Sequence, residues 1–210
     1  HSEYELGGGT ASWKVGGDWA PVPDIRCRAS FQRAVRAPNV IELFTAQGFN
    51  LFDMDADPCG DVSGTSVVQA SLAACQATGV PTAMYGSGAL NSPAGQYNFL
   101  QGGNPTLTPE ESETLTFGVV LQPSFLPGFS LTVDYFDIQI ENLVSSVGAL
   151  NAINACYYNN VASACSLIQR NAAGQLWVGS GNVQDLNTNI GGLSTSGIDI
   201  QANYRVDLAD

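Results

Sequence analysis

The chain of 210 residues has only 12% charged residues and 23 glycines, and it contains no apolar run long enough for a membrane-spanning helix. Its net charge is −12, and no Lys or Arg occurs between residues 37 and 169, so we expect no nucleic-acid partner. With a single histidine, His1, and no Cys-x-x-Cys pair, the sequence predicts neither a histidine-dependent enzyme nor a zinc or other cofactor site.

Two long strands are predicted near the amino terminus from the alternation of apolar and polar residues. The first spans about residues 10–20 and the second about 24–36, and a turn at residues 21–24 joins them in a hairpin. The second strand has one apolar side, and period-two spacing places Arg26 and Arg28 on the other side. We therefore expect these two arginines to have a structural role on the polar side of a sheet.

Three further strands are predicted at about residues 113–123, 128–141 and 192–208. The apolar phase of the middle one changes after Tyr135, which indicates either a bulge or a strand that leaves a bilayer. The apolar side of the last one is as long as a tilted strand that crosses a membrane, about 9–11 residues. We expect one side of the sheet to carry Leu115, Phe117, Val119, Ile198, Ile200, Ala202 and Tyr204, and the opposite side to carry Thr114, Thr116, Asp199, Gln201 and Asn203.

The connections alternate between short turns and very long segments, the latter at about residues 37–112 and 143–190. Soluble β-sandwiches keep turns at intervals of about 8–12 residues, whereas outer-membrane barrels combine short turns with long outer loops. The sequence therefore predicts an all-β fold, an antiparallel meander of about five long strands that forms part of a transmembrane β-barrel. Its long extracellular loops are expected to contain short helices, at residues 38–44, 66–77 and 149–157.

The five cysteines divide into one strand residue and four loop residues. Cys27 lies on an apolar strand face and is expected to stay a free thiol. Four loop cysteines allow three connectivities, and sequence alone does not choose among them. We favour Cys59–Cys75 and Cys156–Cys165, because each pair lies within one long segment. Such disulfides indicate an oxidising compartment such as the periplasm or the cell surface.

Two kinds of side chain are candidates for ligand contact: arginines near the outer end of the second strand, and aromatic rings in the long segments. Packing of the loops against themselves is the commoner role for such rings. The candidates are Arg33, Arg36, Phe49, Phe52, Tyr85, Tyr97, Tyr157 and Trp177. Asp53, Asp55 and Asp57 resemble the start of a calcium loop, but Pro58 and Gly64 occupy its sixth and twelfth positions, so no metal site is predicted.

Three motifs resemble the TonB-dependent receptor family. They are R-A-V-R-A-P-N-V-I-E-L-F at residues 33–44, G-N-P-T-L-T-P-E at residues 103–110 and T-S-G-I-D-I at residues 195–200. The resemblance implies a barrel of about 22 strands with a plugged lumen. Since five strands are predicted, we expect residues 1–210 to be an internal part of the barrel domain, with the plug, the TonB box and the remaining strands outside it.

The resemblance also implies a function, which is not enzymatic. It is that of a receptor in the outer membrane of a Gram-negative bacterium, which captures a scarce siderophore, vitamin or oligosaccharide and imports it with energy transmitted by TonB. The implied partners are outer-membrane lipid, a small-molecule ligand, and TonB acting through the plug and the TonB box. One alternative stays open, a soluble extracellular β-rich binding or adhesion module with disulfide-tied loops.

Overall fold

The computed structural model describes residues 2–4 and 8–206, which belong to two compact units. We call the first the sheet unit; it comprises His1–Pro38, Thr108–Val144 and Asn189–Asp210. We call the second the loop unit; it comprises Asn39–Leu107 and Ser145–Thr188. The loop unit is thus built from the two long segments that the sequence places between strands.

Strands dominate the described part of the chain. In chain order they are β1 (Ser2–Tyr4), β2 (Gly8–Thr10), β3 (Trp13–Val22), β4 (Ile25–Arg36), β5 (Gly48–Asp53), β6 (Gln96–Gln101), β7 (Glu110–Leu121), β8 (Phe129–Glu141), β9 (Val144–Ser145), β10 (Ile168–Gln169), β11 (Asn182–Gln184), β12 (Thr188–Asn189) and β13 (Gly192–Tyr204). The α-helices are α1 (Val40–Phe44), α2 (Leu72–Ala77), α3 (Ala149–Tyr157) and α4 (Ala162–Cys165), and 3-10 turns occur at Thr82–Met84 and Gly88–Leu90. Among the residues described, none of these helices has the length and apolar character needed to cross a membrane.

The sheet unit holds one five-stranded antiparallel sheet in the order β3-β4-β7-β8-β13. Each long strand therefore pairs with the next long strand along the chain, and the predicted meander is confirmed. The strand bounds agree with prediction to within a few residues. One difference is that β3 continues to Val22, which shortens the predicted turn to Pro23 and Asp24. Another is that β13 ends at Tyr204; of its predicted span, residues 207 and 208 lie outside the described residues.

The two short turns at one end of this sheet are tied together by Asp24. Its backbone carbonyl accepts the Gln122 N–H at 2.8 Å, and its carboxylate accepts the Ser124 N–H at 3.1 Å. The Ser124 hydroxyl also donates to this carboxylate, and the hydroxyl bond, followed by the N–H bond, lowers the pKa of Asp24. The β3–β4 turn and the β7–β8 turn thus hold each other in place.

The strand register confirms which residues share a side of the sheet. Residues directly opposite each other in an antiparallel pair project to the same side. Phe117 lies opposite Tyr135, which in turn lies opposite Ile198, and this row is followed by others of the same apolar character. We call this the apolar side; the rows that it contains include Val119–Val133–Ile200 and Leu121–Leu131–Ala202. Its side chains are exposed or half-buried, with Ile200 70% accessible.

The phase change after Tyr135 is not a bulge, and that part of the prediction is wrong. β8 keeps an unbroken register with both β7 and β13 across this point. The apolar residues Phe136, Ile138 and Ile140 therefore lie on the polar side, while Asp137 lies on the apolar side opposite Leu115. On β8, apolar character on the apolar side thus stops at Tyr135, which agrees with the alternative of a strand that leaves a bilayer there.

The loop unit has a sheet and a buried core of its own, which the sequence did not predict. Its strands follow the order β10-β11-β6-β5, with β11 parallel to β6 and the other pairs antiparallel. The buried cluster of the described residues draws on both long segments and belongs wholly to this unit. Its members are Met54, Cys59, Ala70, Cys75, Val80, Leu90, Tyr97, Ala149, Ala152, Ile153, Cys156, Tyr157, Ala164, Ile168, Leu176 and Val183.

The three predicted loop helices all exist, but two begin later than expected. The helix at residues 149–157 is confirmed as α3. The helix predicted from Ser66 begins only at Leu72, because the Ser71 hydroxyl caps it by accepting the Ala74 N–H at 3.2 Å. Pro38 lies outside α1 rather than in its first turn, since Asn39 is the N-cap.

We predict that a charge on the apolar side destabilises the full-length protein in a bilayer. Ile200→Arg should lower the free energy of unfolding by about 2–4 kcal/mol, because the guanidinium replaces an apolar group that faces hydrocarbon. Gln201→Arg, one residue on and on the polar side, should cost less than about 1 kcal/mol. Denaturant unfolding in lipid vesicles measures both values, and equal losses would contradict the assignment of the two sides.

Candidate functional site

The arginines proposed for ligand contact are paired with carboxylates at the end of β4. Arg36 donates from Nε and from Nη2 to Glu110, each at 2.6 Å, and the two residues lie directly opposite each other on β4 and β7. Glu110 is only 8% exposed and also accepts the Val144 N–H at 2.7 Å. Arg33 pairs with Glu111, and both line a cleft of about 620 Å³. Both guanidinium groups therefore join β4 to β7.

On the polar side, one ion pair bridges three strands. Arg28 on β4 donates to Asp134 on β8, with Nε–Oδ1 and Nη2–Oδ2 distances of 2.9 and 2.5 Å. The strand between them, β7, contributes Gly118 at this row. A Cβ atom at Gly118 would lie 1.8 Å from Asp134 Oδ1, so only glycine leaves room for the pair. The structural role expected for Arg28 is thus confirmed, and Arg26 is similarly paired with Asp18 at 2.7 Å.

The motifs at residues 33–44 and 103–110 lie close together, at the start and the end of the first long segment. Asn39 and Glu42 form a capping box, in which each side chain accepts the other residue's N–H, at 2.9 and 2.8 Å. Gly103 donates its N–H to the Thr45 carbonyl and Asn104 donates to the Glu42 carbonyl, both at 2.9 Å. A Cβ atom at Gly103 would lie 2.6 Å from the Leu43 carbonyl group. These motif residues therefore hold the two ends of the first long segment together by backbone hydrogen bonds.

A buried ion pair joins the two long segments. Asp57 comes from the first segment and Arg170 from the second, and both side chains are fully buried. Two bonds form between them, Nη1–Oδ2 at 2.6 Å and Nη2–Oδ1 at 2.9 Å. Burial lowers the pKa of Arg170, but the hydrogen bonds and charge of Asp57 outweigh it and raise that pKa above its ordinary value. The guanidinium therefore stays charged inside the loop unit.

Tyr157 completes this buried cluster. Its hydroxyl accepts from Arg170 Nη2 at 2.9 Å and shares a 2.6 Å hydrogen bond with the Thr78 hydroxyl of the first segment. Burial is the main cause that raises the pKa of Tyr157, so its hydroxyl stays protonated through the neutral range. We call Asp57, Thr78, Tyr157 and Arg170 the cross-loop cluster.

Both favoured disulfides form within the loop unit. Cys59 is bonded to Cys75, 16 residues apart, and Cys156 is bonded to Cys165, 9 residues apart. Each bond closes a loop within one long segment, so neither bond joins the two segments covalently. Cys27 is a free thiol, as predicted, and lies on the apolar side of the sheet opposite Trp19 and Val119.

The aromatic candidates have different surroundings. Tyr97 and Tyr157 are buried in the loop core, and Trp177 packs against it. Phe52 packs against Tyr97 with ring centroids 5.9 Å apart, and the hydroxyl of Tyr85 donates to the Ala70 carbonyl at 2.7 Å. Phe49 is 57% exposed. Of these six rings Phe49 is the most accessible, whereas Tyr97 and Tyr157 are closed to direct contact with a ligand.

Sequence reasoning missed the partners that make the cross-loop cluster. In the sequence, Asp57 belongs to an aspartate-rich stretch that resembles an incomplete calcium loop, and no local pattern marks Arg170 or Thr78. One signal was available, since Arg170 is the only basic residue within the two long segments. Among the described residues, no group of three or more His, Cys, Asp or Glu side chains is placed to hold a metal ion.

The family follows from a match over nearly the whole chain. Residues 2–209 match the family model described as TonB dependent receptor-like, beta-barrel. The chain belongs to this TonB-dependent receptor family. No curated protein sequence matches it.

Solved receptor structures share the fold of this receptor chain. The siderophore receptor PirA from Pseudomonas aeruginosa is 13% identical, with 93% of this chain and 25% of PirA covered and a TM-score of 0.51. PirA from Acinetobacter baumannii is 12% identical, with 95% and 21% covered and a TM-score of 0.52. A variant of the ferric enterobactin receptor PfeA from Pseudomonas aeruginosa, in complex with enterobactin, is 14% identical, with 98% and 21% covered and a TM-score of 0.54. The chain thus spans about a fifth to a quarter of each of these receptors, and the likeness is one of fold.

We predict that a methyl group at Gly118 disrupts the three-strand ion pair of the receptor sheet. Gly118→Ala should lower the free energy of unfolding by up to about 1 kcal/mol, because the new Cβ displaces the Asp134 carboxylate from Arg28 and the pair is partly exposed. Gly17→Ala is the matched control, since a Cβ at Gly17 meets nothing within 4 Å. Denaturant unfolding of the two full-length receptor variants compares them, and a loss in the control as large as that in Gly118→Ala would contradict the role of the close approach.

We also predict that the Cys59–Cys75 bond stabilises the loop unit. Replacing both cysteines with serine should lower the unfolding free energy of the loop unit by about 3 kcal/mol, the chain-entropy value for a closed loop of about 15 residues. The Cys156–Cys165 bond closes a shorter loop and should contribute somewhat less. Limited proteolysis of the full-length receptor across a urea series measures this change. Cys27→Ser is the control and should leave the proteolysis midpoint where it is.

Proposed function

We propose that this chain is part of an outer-membrane receptor that captures a scarce solute and imports it with energy transmitted by TonB. The observation that carries the proposal is the five-stranded antiparallel sheet with one exposed apolar side, in a chain of the TonB-dependent receptor family. An exposed apolar side of this size requires a lipid environment or another cover. The outer membrane of a Gram-negative bacterium supplies such lipid, and it is the location that we propose.

In this proposal the loop unit is the outer, solute-facing part of the receptor. Both of its segments leave and rejoin the sheet at the same end, between β4 and β7 and between β8 and β13, while short turns join the strands at the other end. Outer-membrane barrels place their long loops outside the cell. A core and two disulfides give these loops a fixed shape, which reduces the ordering cost of binding.

The charges of the loop unit favour a neutral or cationic solute. Its one basic side chain, Arg170, is buried against Asp57. Hydrogen bonds from the N–H and the hydroxyl of Ser63 lower the pKa of Asp61, which keeps this exposed carboxylate ionised. The accessible charged side chains of the unit are all acidic: Glu42, Asp53, Asp55, Asp61 and Asp185. The electrostatic field of these acidic side chains attracts cations and repels anions at long range.

Uptake by the full-length receptor tests both the transport proposal and the solute class. Cells that produce the receptor as their only TonB-dependent transporter would be offered radiolabelled ferric complexes, one a neutral tris-hydroxamate and one a trianionic tris-catecholate, together with a neutral maltooligosaccharide and cobalamin. We expect uptake of at least one neutral solute that is abolished when TonB is deleted. We expect it to exceed uptake of the trianion by roughly tenfold at low ionic strength, with the difference shrinking as salt is added.

Two results separate the parts of this proposal. Preferred uptake of the trianionic complex would contradict the solute class and leave the transport proposal standing. A receptor that takes up none of these solutes but retains cells on a glycan-coated or protein-coated surface would contradict transport and favour the adhesion alternative. Phe49→Ala, which removes the most exposed of the six candidate rings, should lower capture without changing the amount of folded receptor.

A further inference from the structure

We infer that the two long loops of this receptor move as one body, and that the cross-loop cluster is the lock between them. The inference uses the proposed function only in placing these loops outside the cell. It concerns whether the two loops move together, which neither the family nor its fold determines. It rests on how the contacts between the two segments are distributed.

The polar contacts across the loops are buried and specific. The pair formed by Asp57 and Arg170 is fully buried and bidentate, and Arg170 Nη1 also donates to the Gly174 carbonyl at 2.7 Å. Separating the loops would leave a buried carboxylate or guanidinium without its partner. That state is far more costly than the loss of an exposed ion pair.

Backbone pairing reinforces this lock. β6 of the first loop pairs in parallel with β11 of the second, with Phe99 opposite Val183. The Asn98 N–H donates to the Leu176 carbonyl at 3.0 Å, and the Asp185 N–H donates to the Leu100 carbonyl at 2.8 Å. The mixed sheet of the loop unit is therefore shared between the loops, and neither loop keeps a complete sheet when the other leaves.

The apolar core is shared in the same way. Tyr97 and Leu90 of the first loop belong to one buried cluster with Ile153 and Leu176 of the second. Since the disulfides lie within the loops, the coupling between the loops comes from non-covalent contacts, namely this joint core, the shared sheet and the cross-loop cluster. A displacement that begins in one loop therefore carries the other with it, and contact made by one loop changes the position of both.

Hydrogen–deuterium exchange on the full-length receptor in detergent tests this coupling without any solute or TonB. Arg170→Met changes only the second loop, and we expect the backbone amides of residues 54–60 in the first loop to exchange at least tenfold faster. Thr78→Val changes only the first loop, and we expect the amides of Ala149–Tyr157 in the second loop to exchange about fivefold faster, because the hydrogen bond to Tyr157 is lost. Arg33→Met is the matched control, since it breaks a partly exposed pair in the sheet unit, and exchange in both loops should stay within twofold.

A double variant distinguishes the effect of an unpaired buried charge from general destabilisation of the loop unit. Asp57→Leu combined with Arg170→Met removes both charges and keeps apolar volume, so protection in both loops should recover most of the way to that of the unsubstituted receptor. The Cys59 amide is the exception, because its N–H donates to the Asp57 carboxylate and loses that acceptor directly. The inference is overturned when faster exchange stays within the substituted loop for Arg170→Met and for Thr78→Val. It is equally overturned when Arg170→Met leaves the first loop unchanged. If Arg170→Met does not assemble, Thr78→Val decides by the same criterion, because it alters a single hydroxyl group.

Discussion

The pairing of the long strands is the constraint on which the rest of the structure depends. Each antiparallel pair fixes which residues lie side by side, and the strict period of two then gives every side chain one of two sides. The unbroken register of β8 with its neighbours shows how firmly this holds. Phe136 stays on the polar side although it is apolar, and Asp137 stays on the apolar side although it is charged. Backbone pairing, rather than local hydrophobicity, decides the orientation at this level of the sheet.

The two units differ in whether they bury their apolar side chains. The sheet unit leaves its apolar side chains exposed, with Trp19 and Ile198 more than half accessible, and forms its internal links through ion pairs and hydroxyl bonds on the polar side. The loop unit buries a core that contains two disulfides and the Asp57–Arg170 ion pair. In the outer-membrane location that we propose, lipid replaces a core for the sheet unit, whereas the loop unit is stabilised in water by its own core.

Sequence reasoning recovered the sheet because its signal is local and repeated. Alternation over a dozen residues identifies a strand such as β4, and short turns then leave few choices of neighbour. The predicted helix from Ser66 is too long because apolar spacing continues upstream of the Ser71 cap, where the Ser66 hydroxyl instead donates to Asp55. The loop sheet and the cross-loop cluster were missed for another reason. Their strands have two to six residues, and Asp57 and Arg170 are 113 residues apart, so no short-range pattern links them.

Gly118 limits which amino-acid substitutions this sheet can accept during evolution. A larger residue there collides with the Asp134 carboxylate in its present position, so that carboxylate has to move away from Arg28 or be replaced by a smaller side chain. A smaller side chain at position 134 leaves the guanidinium of Arg28 without its carboxylate, so a change at position 28 becomes advantageous in turn. The three positions lie on three different strands, yet a substitution at one of them affects which residues the other two can accept. Covariation among them would record a steric contact as much as an electrostatic one.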